Sequence, residues 1–288
     1  MRFVPIAAAL AAFSASPALA QDGPPVPPGP PAEGESVFDD TWVSIGIGAS
    51  YGPSYDGSDD YVISVLPVVQ GSIEGFSIRP RPAGLMIDLI RDRSVDGGPT
   101  VSFGPAMRLR TDRADQIEDP VVIAAGELDR AFEIGPSAGL SFPGVLNPFD
   151  SLSVDVDARW DVAGAHGGMV IDPSISYFTP VSRGAAVSLS LGAEYGSDDF
   201  ADYYYSVSPA QSVASGLPTF QADGGFNSVS VSALGVVDFD GDLTNGGFGA
   251  VLIGGYSRLI NDAADSPYTS LVGDRDQFFT AVGIAYTF

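Results

Sequence analysis

The chain has 288 residues, of which 45% are hydrophobic, and its 36 acidic against 13 basic side chains give a formal net charge of −23. Nucleic acid phosphates would repel so acidic a chain, which excludes nucleic acid as a partner. The chain has no cysteine, which excludes disulfides and thiolate metal sites, and every basic side chain is an arginine.

The N-terminal residues predict export. Arg2 precedes an apolar run that ends in Ala18-Leu19-Ala20, the pattern of a cleaved signal peptide over residues 1–20. Residues 21–40 are rich in proline and have little to bury, which predicts a periplasmic N-terminal segment without a packed core. Residues 41–288 contain no linker and are predicted to form one domain. After the signal peptide, no stretch has the roughly 18 consecutive apolar residues of a spanning helix.

The rest of the chain repeats strand-length runs in which apolar and small or polar side chains alternate, as in a β-strand with two different faces. The clearest run is Ser151–Val162, where Val154 and Val156 oppose Asp155 and Asp157. The predicted strands are Trp42–Pro53, Tyr61–Ser72, Phe76–Arg81, Gly84–Arg91, Thr100–Arg110, Phe132–Phe142, Ser151–Val162, Met169–Val181, Ala185–Tyr195, Asn227–Asp240, Phe248–Leu259 and Gln277–Phe288. Alternation between apolar and polar side chains is less regular in Tyr61–Ser72 than in the other predicted strands.

These strands predict an all-β fold, a transmembrane antiparallel β-barrel of about 12 strands, with ten as the alternative if Phe76–Arg81 and Gly84–Arg91 do not form strands. The three longest connections, 111–131, 196–226 and 260–276, then all lie on the outer side, as in outer-membrane barrels. We therefore expect a Gram-negative outer-membrane protein in contact with lipid and lipopolysaccharide. The alternative is a soluble β-sandwich, which would have to bury charged side chains in a dry core.

Charged side chains recur on the inner parity of the predicted strands. They are expected to form a lumen charge network of Arg79, Arg81, Arg108, Arg110, Glu133, Asp155, Asp157, Arg159, Asp161, Asp172 and Glu194. Arginine binds carboxylates through a planar, bidentate fork. Two outcomes stay open: paired charges cross-link and obstruct the lumen, or segregated charges line a narrow water-filled pore. The near balance of the inner charges favours an obstructed lumen.

The sequence predicts no catalytic, cofactor-binding or metal site. The single histidine, His166, lies in Gly164–Gly168, a tight turn that is expected to leave the ring exposed. Such a turn is poorly suited to hold a general base beside a nucleophile. The chain is therefore predicted not to be an enzyme, and an outer-membrane hydrolase that uses His166 is the weaker alternative.

The last predicted strand ends the chain on Tyr286-Thr287-Phe288. This ending resembles the C-terminal signal of Gram-negative outer-membrane barrels. The resemblance implies that Tyr286 and Phe288 form the signal for the barrel-assembly machinery.

Several stretches together define a family pattern. Tyr256–Pro267 is the most specific, and the others are Gly46–Gly48, Pro53–Ser58, Gly104-Pro105, Gly135-Pro136, Tyr203–Ser208, Ala222–Gly225, Gly273, Gln277 and the Tyr286–Phe288 ending. On these stretches the chain resembles the MipA/OmpV family of outer-membrane proteins. The resemblance implies a structural or scaffold barrel that links murein-synthesising and murein-cleaving enzymes, with adhesion or envelope stress roles in some members. It implies no catalytic residues. A small-solute or ion channel is the alternative function.

Overall fold

The computed structural model describes residues 36–39, 41–91 and 98–288. The predicted signal peptide and most of the proline-rich segment lie outside the described residues. The described strands are β1 Trp42–Pro53, β2 Tyr61–Ile73, β3 Phe76–Arg81, β4 Gly84–Asp88, β5 Thr100–Arg110, β6 Ala131–Pro143, β7 Ser151–Asp161, β8 Met169–Ser182, β9 Ala185–Gly196, β10 Gly225–Asp238, β11 Gly247–Leu259 and β12 Asp276–Thr287.

The strands form one closed antiparallel barrel in which each strand pairs with its neighbours in the chain. Strands β1 and β12 close the ring, with Ile47 opposite Ile284 and Ser44 opposite Thr287. The predicted twelve-stranded barrel is therefore confirmed. The alternative of ten strands is wrong, because β3 and β4 are short but paired strands. The predicted limits differ most at β4, which ends at Asp88, and at β10.

The two faces of the barrel wall differ as the alternation predicts. Outward side chains are apolar and uncovered by protein: Ile47 is 60% exposed, Ile63 70% and Val65 72%. Inward positions of β1 hold small residues such as Gly46 and Gly48. In a membrane, lipid is the solvent for the outward face. A sandwich would instead bury these side chains, so that alternative is wrong.

The long connections fold over one end of the barrel and contain short helices. These are α1 Pro120–Ala125, α2 Asp198–Tyr205, α3 Pro209–Ser215, α4 Asn261–Asp265 and α5 Pro267–Ser270. Asp119 caps α1 by accepting hydrogen bonds from the Val121 and Val122 amides. We call residues 54–60, 111–130, 197–224 and 260–275 the lid. Because long connections face outward in outer-membrane barrels, the lid covers the outer mouth.

Two buried apolar clusters hold the lid together. The first contains Phe200, Tyr204 and Tyr205 of α2 and reaches the barrel rim at Val170 and Leu259. The second is formed by Tyr55, Val122, Val207, Leu217 and Tyr268. Among the residues that the structure describes, no helix is long and apolar enough to cross a membrane.

The Gly-Pro pairs of β5 and β6 lie opposite each other, with Pro105 facing Pro136 in the register. A β-carbon on Gly104 would lie 1.9 Å from the carbonyl oxygen of Ile87, and one on Gly135 would lie 2.0 Å from that of Ala158. Any side chain at these two positions would force the neighbouring strands apart. Glycine is therefore required for the close approach of the strands in this part of the wall.

A charge placed on the lipid face is expected to destabilise the barrel. Leu191 lies mid-strand in β9 and is 59% exposed. Leu191→Arg should lower the free energy of unfolding by about 2–4 kcal/mol, because the guanidinium would enter hydrocarbon. Urea unfolding in lipid vesicles, followed by tryptophan fluorescence, measures this change. Val213 of the lid is 88% exposed, so Val213→Arg is the control and should have little effect.

Candidate functional site

Charged side chains from six strands meet inside the barrel next to the lid. Glu133 of β6 is at the centre and is fully buried. Its carboxylate accepts hydrogen bonds from Arg110 Nε at 2.7 Å and from Arg159 Nε at 3.2 Å. Arg159 also donates to Asp157 at 3.3 Å and to Asp172. Each bond joins an arginine to a carboxylate, the strongest polar pairing available to a protein.

Several of these pairs join strands that are not neighbours. Arg81 of β3 donates to Asp157 at 3.0 Å and to Asp155 at 3.3 Å, both on β7. Strands β3 and β7 are four places apart in a ring of twelve, so Arg81 reaches across the lumen.

The second crossing joins β5 to β9, again four places apart. Arg110 and Arg108 of β5 donate to Glu194 of β9 at 2.7 and 3.2 Å, and Arg108 Nη1 lies 4.0 Å from Asp172. Together with the bonds around Glu133, these ion pairs form one cluster, which we call the charge network. Its members are Arg81, Arg108, Arg110, Glu133, Asp155, Asp157, Arg159, Asp172 and Glu194.

Two further predicted members have other partners. Arg79 pairs with Asp88 of β4 at 2.9 Å. Asp161, at the end of β7, accepts hydrogen bonds from the Ala163 and Gly167 amides and so holds the turn that follows. Backbone donors therefore occupy the Asp161 carboxylate where an arginine was expected.

The opposite part of the inner wall is neutral apart from Asp238 at the end of β10. Strands β10, β11, β12, β1 and β2 turn serine, glycine, alanine and some larger apolar side chains inward, and we call this part the neutral sector. Its inward side chains Leu66, Val68 and Ile253 are only half-buried. The lumen is therefore asymmetric, with fixed charges on one side and apolar or small side chains on the other.

The lid rests directly on the charge network. The Arg110 guanidinium lies 4.7 Å from the Phe200 ring centre and 5.6 Å from that of Tyr204. Within the lid, buried Arg113 lies 3.7 Å above the Tyr268 ring and donates to the Tyr204 carbonyl at 2.9 Å. These cation–π contacts tie the lid to the barrel. The sequence analysis missed Arg113 and Phe200, although the aromatic run beside Phe200 was a visible signal.

The prediction of an exposed His166 is wrong. The ring is buried against α2, with its centre 5.1 Å from that of Phe200. Its Nδ1 accepts a hydrogen bond from the Gly168 amide, and its Nε2 lies 3.5 Å from Glu133 Oε1. The glycine-rich turn permits this geometry because Gly164 and Gly167 adopt positive φ angles. The turn folds inward beneath the lid, which no local sequence pattern specifies.

The lid contains a carboxyl pair whose charge depends on pH. Burial, with the Asp56 carboxylate close by, raises the pKa of Asp112 to about 7, against the opposing effects of Arg110, Arg113 and a hydrogen bond from the Asp56 amide. A pKa raised on folding favours the protonated form in the folded lid. This stability is complete below about pH 4, the ordinary aspartate value, and is lost as the pH rises through 7.

Raising the pH from 5 to 8 is therefore expected to speed opening of the lid. Amide hydrogen exchange over residues 111–119, corrected for the intrinsic pH dependence of exchange, measures the opening. In Asp112→Asn, where this side chain cannot ionise, the corrected rates should differ less between the two pH values. Equal rates in the unmodified protein would contradict the assigned protonation.

The C-terminal aromatic residues lie at the end opposite the lid. The Tyr286 ring is 4.7 Å from that of Phe248 and 4.6 Å from that of Phe288. Phe288 is 65% exposed, and its amide donates to the Val43 carbonyl at 2.9 Å. Their role as an assembly signal stays a prediction. In the described part of the chain, no group of three or more histidine, cysteine or acidic side chains is arranged to hold a metal ion.

A closed antiparallel barrel with an apolar outer face and charged pairs inside defines an integral outer-membrane β-barrel protein. The model of the family described as MltA-interacting protein MipA matches residues 45–288, and the chain belongs to this MipA family. The predicted family membership and outer-membrane location are therefore confirmed.

Relatives agree with this assignment. YiaT of Escherichia coli O157:H7 is 29% identical over 251 residues, which cover 85% of this chain and 91% of the relative. YiaT of strain K12 is 27% identical with the same coverage. Both relatives are named as outer membrane proteins.

Solved structures with similarity include outer-membrane channels. The COG4313 outer membrane channel from Pseudomonas putida F1 matches with a TM-score of 0.45 and 12% identity, covering 92% of this chain and all of that one. DcaP of Acinetobacter baumannii matches with a TM-score of 0.33 and 12% identity, covering 86% of this chain and 96% of that one.

Proposed function

We propose that the chain is a non-enzymatic outer-membrane scaffold that links murein-synthesising and murein-cleaving enzymes. The observation that carries the proposal is the partial obstruction of the barrel: Arg81 and Arg110 cross the charged side of the lumen in ion pairs, and the lid packs on Arg110. A barrel closed in this way acts through its surfaces. The family description, MltA-interacting protein, supports a murein enzyme as the partner.

The proposed organisation follows from export to the periplasm and insertion into the outer membrane. Residues 1–20 are the signal peptide, residues 21–40 are a periplasmic segment that reaches toward the partner enzymes, and residues 41–288 are the barrel. In this organisation the proline-rich segment lies on the murein side, since both ends of an even-stranded barrel are expected in the periplasm. Tyr286 and Phe288 direct assembly of the barrel.

Cross-linking in intact cells tests the scaffold. Envelope complexes should be cross-linked and purified through the barrel, with and without residues 22–36, and murein-cleaving and murein-synthesising enzymes sought in each. Recovery of these enzymes with the full chain, reduced by the deletion, is the expected result. If no murein enzyme is recovered with either chain, the scaffold proposal fails.

A small-solute or ion channel is the second candidate, and the neutral sector favours it. Its half-buried Leu66, Val68 and Ile253 show that the lumen is not filled by side chains on this side. Planar-bilayer recordings separate the two functions. The scaffold predicts no steady current. A steady current that changes in Arg108→Ala or Asp157→Ala would favour the channel.

A further inference from the structure

Strand β2 is paired along only part of one edge. Toward β1 it pairs over its whole length, from Tyr61 to Ser72. Toward β3 the register comprises only the pairs of Gly71, Ser72 and Ile73. Among the described residues, no other strand lies against Tyr61–Gln70 on that side. The cause is the shortness of the β3–β4 hairpin, whose strands have 6 and 5 residues against 13 in β2.

An open strand edge is not stable in hydrocarbon. Each unsatisfied backbone group there costs several kcal/mol, and such edges occur only where protein covers them or where they line a water-filled cavity. Pro67 lies within this stretch and has no amide hydrogen to leave unpaired, as is typical of edge strands. The free edge of β2 is therefore expected to face the lumen or to be covered by the lid, and we call the unpaired stretch between Tyr61–Gln70 and the β3–β4 hairpin the gap.

Both faces of β2 are largely apolar beside the gap, with Ser64 as a polar exception on the inward face. Outward Ile63 and Val65 are among the most exposed side chains of the wall. Inward Val62, Leu66 and Val68 break the alternation that the charged strands keep. This accounts for the blurred pattern of β2 in the sequence, because an acyl chain beside the gap would contact apolar side chains on both faces of the strand.

Open space continues from the gap into the lumen. Phe279 of β12 points inward at the level of Gly52 and Val62 and is nevertheless 37% exposed. A β-carbon on Gly52 would lie 3.3 Å from the Phe279 ring, so a larger residue at position 52 would take up this space. Phe279, Val62 and Leu66 thus form an apolar surface inside the barrel next to the gap.

One lid side chain contacts the free edge of β2. Gln116 accepts a hydrogen bond from Ser64 Oγ at 2.9 Å, and its Nε2 donates to the Ile63 carbonyl at 3.4 Å. Gln116 has a φ angle of 55°, in the left-handed region that residues other than glycine adopt only where the surrounding structure holds them there. This exposed contact can break without disturbing the buried clusters of the lid.

We propose that the gap between β2 and the β3–β4 hairpin is a lateral opening, latched by Gln116, through which the acyl chain of a single-chain amphiphile passes from the outer membrane into the lumen. The chain lies against Leu66, Val62 and Phe279, and its polar head faces the lumen water. The lid covers the outer mouth of the barrel with two packed clusters. An acyl chain from the outer leaflet would therefore enter the lumen through the side of the barrel.

A second copy of the barrel fits the free edge poorly. Two barrels inserted in the same direction are related by an axis along the membrane normal, so their β2 strands would run parallel. The free edges of the two β2 strands would then have to pair with each other. Pro67 would lie within that ladder, and proline has no amide hydrogen to donate. An acyl chain needs no hydrogen bonds and matches the apolar side chains on both faces of β2.

The absence of cysteine from the chain makes a direct test possible. Ser64→Cys and Gln116→Cys are combined and joined by a short thiol-specific crosslinker that contains a reducible disulfide. The matched control joins Ser176→Cys to Ser190→Cys, whose hydroxyls lie 2.8 Å apart on the lumen face of the paired strands β8 and β9. Binding of dansyl-undecanoic acid to the barrel in nanodiscs is followed by dansyl fluorescence, and folding by heat-dependent mobility in SDS gels.

Saturable binding is expected before cross-linking, with affinity weakened at least about tenfold by the bridge between positions 64 and 116 and restored on reduction. The control bridge should leave binding unchanged. Dansylglycine, which has no acyl chain, should not compete. Absence of saturable binding, equal affinity with and without the bridge between positions 64 and 116, or equal loss in both bridged proteins would each overturn the proposal.

A single substitution gives an independent check on the surface inside the gap. Leu66→Ser removes apolar contact with the chain and should weaken dansyl-undecanoic acid binding about tenfold. Leu189→Ser, on the lipid face of β9, is the control and should bind as the unmodified protein does. If Leu66→Ser folds and binds with unchanged affinity, the chain does not lie against β2.

Discussion

Glu133→Ala is expected to lower the free energy of unfolding by about 3–5 kcal/mol, since it breaks a buried ion-pair cluster from one side only. Glu133 is fully buried and accepts from both Arg110 and Arg159, which are 2% and 3% exposed in their side chains. Without the carboxylate, two buried guanidinium groups face each other with less opposing charge. Neither can lose its proton, because arginine stays charged at all accessible pH values.

Urea unfolding of the barrel in lipid vesicles measures the loss. The control is Asp115→Ala, which removes an ion pair with Arg130. The side chains of Arg130 and Asp115 are 61% and 38% exposed. Water screens an exposed ion pair, so the control should change the free energy of unfolding little. Glu133→Gln keeps the shape of the side chain and loses its charge. Its free energy of unfolding should be lowered as that of Glu133→Ala is. Equal stability of Glu133→Ala and the Asp115 control would show that the network does not brace the barrel.

Phe200→Ala is expected to destabilise the lid by about 3–5 kcal/mol, the usual effect of truncating a buried phenylalanine. Phe200 is fully buried, and its ring contacts Arg110, His166 and Tyr204. It therefore joins the lid to the charge network. The strands do not depend on it, because their hydrogen bonds close within the barrel. The expected result is an open lid on an intact barrel.

Protease added to intact cells should cleave Phe200→Ala between residues 197 and 224, where the unmodified protein resists. Heat-dependent gel mobility should be retained, which shows that the barrel is folded. Val213→Ala, at an 88% exposed position of the same connection, is the control and should resist cleavage. Resistance of Phe200→Ala would mean that the second cluster, around Tyr55 and Tyr268, holds the lid alone.

The two variants address different layers of one structure. Glu133 braces strands across the lumen, and Phe200 attaches the lid to those braced strands through Arg110. If the lid opens in Phe200→Ala and the stability of the barrel is unchanged, attachment of the lid and bracing of the strands are independent of each other. This would also show whether the network obstructs the lumen by itself, because planar-bilayer current in Phe200→Ala would then report on the network alone.

The sequence by itself determined the strands and their faces. Period-two alternation is a local property of an extended chain, so runs such as Trp42–Pro53 and Thr100–Arg110 were predicted with the limits that the structure shows. The inward parity of Arg108, Glu133 and Asp157 follows from the same alternation. The connection lengths also identified the outer end, where the lid lies.

Only the tertiary structure decided which charges meet and where the wall opens. Arg81 pairs with Asp155 and Asp157 because closure and stagger of the ring bring β3 opposite β7, and no local pattern encodes that distance. His166 is buried for the same kind of reason, since α2 folds back over its turn. The free edge of β2 likewise depends on the register of β3, which pairing between strands sets and side-chain alternation within one strand does not.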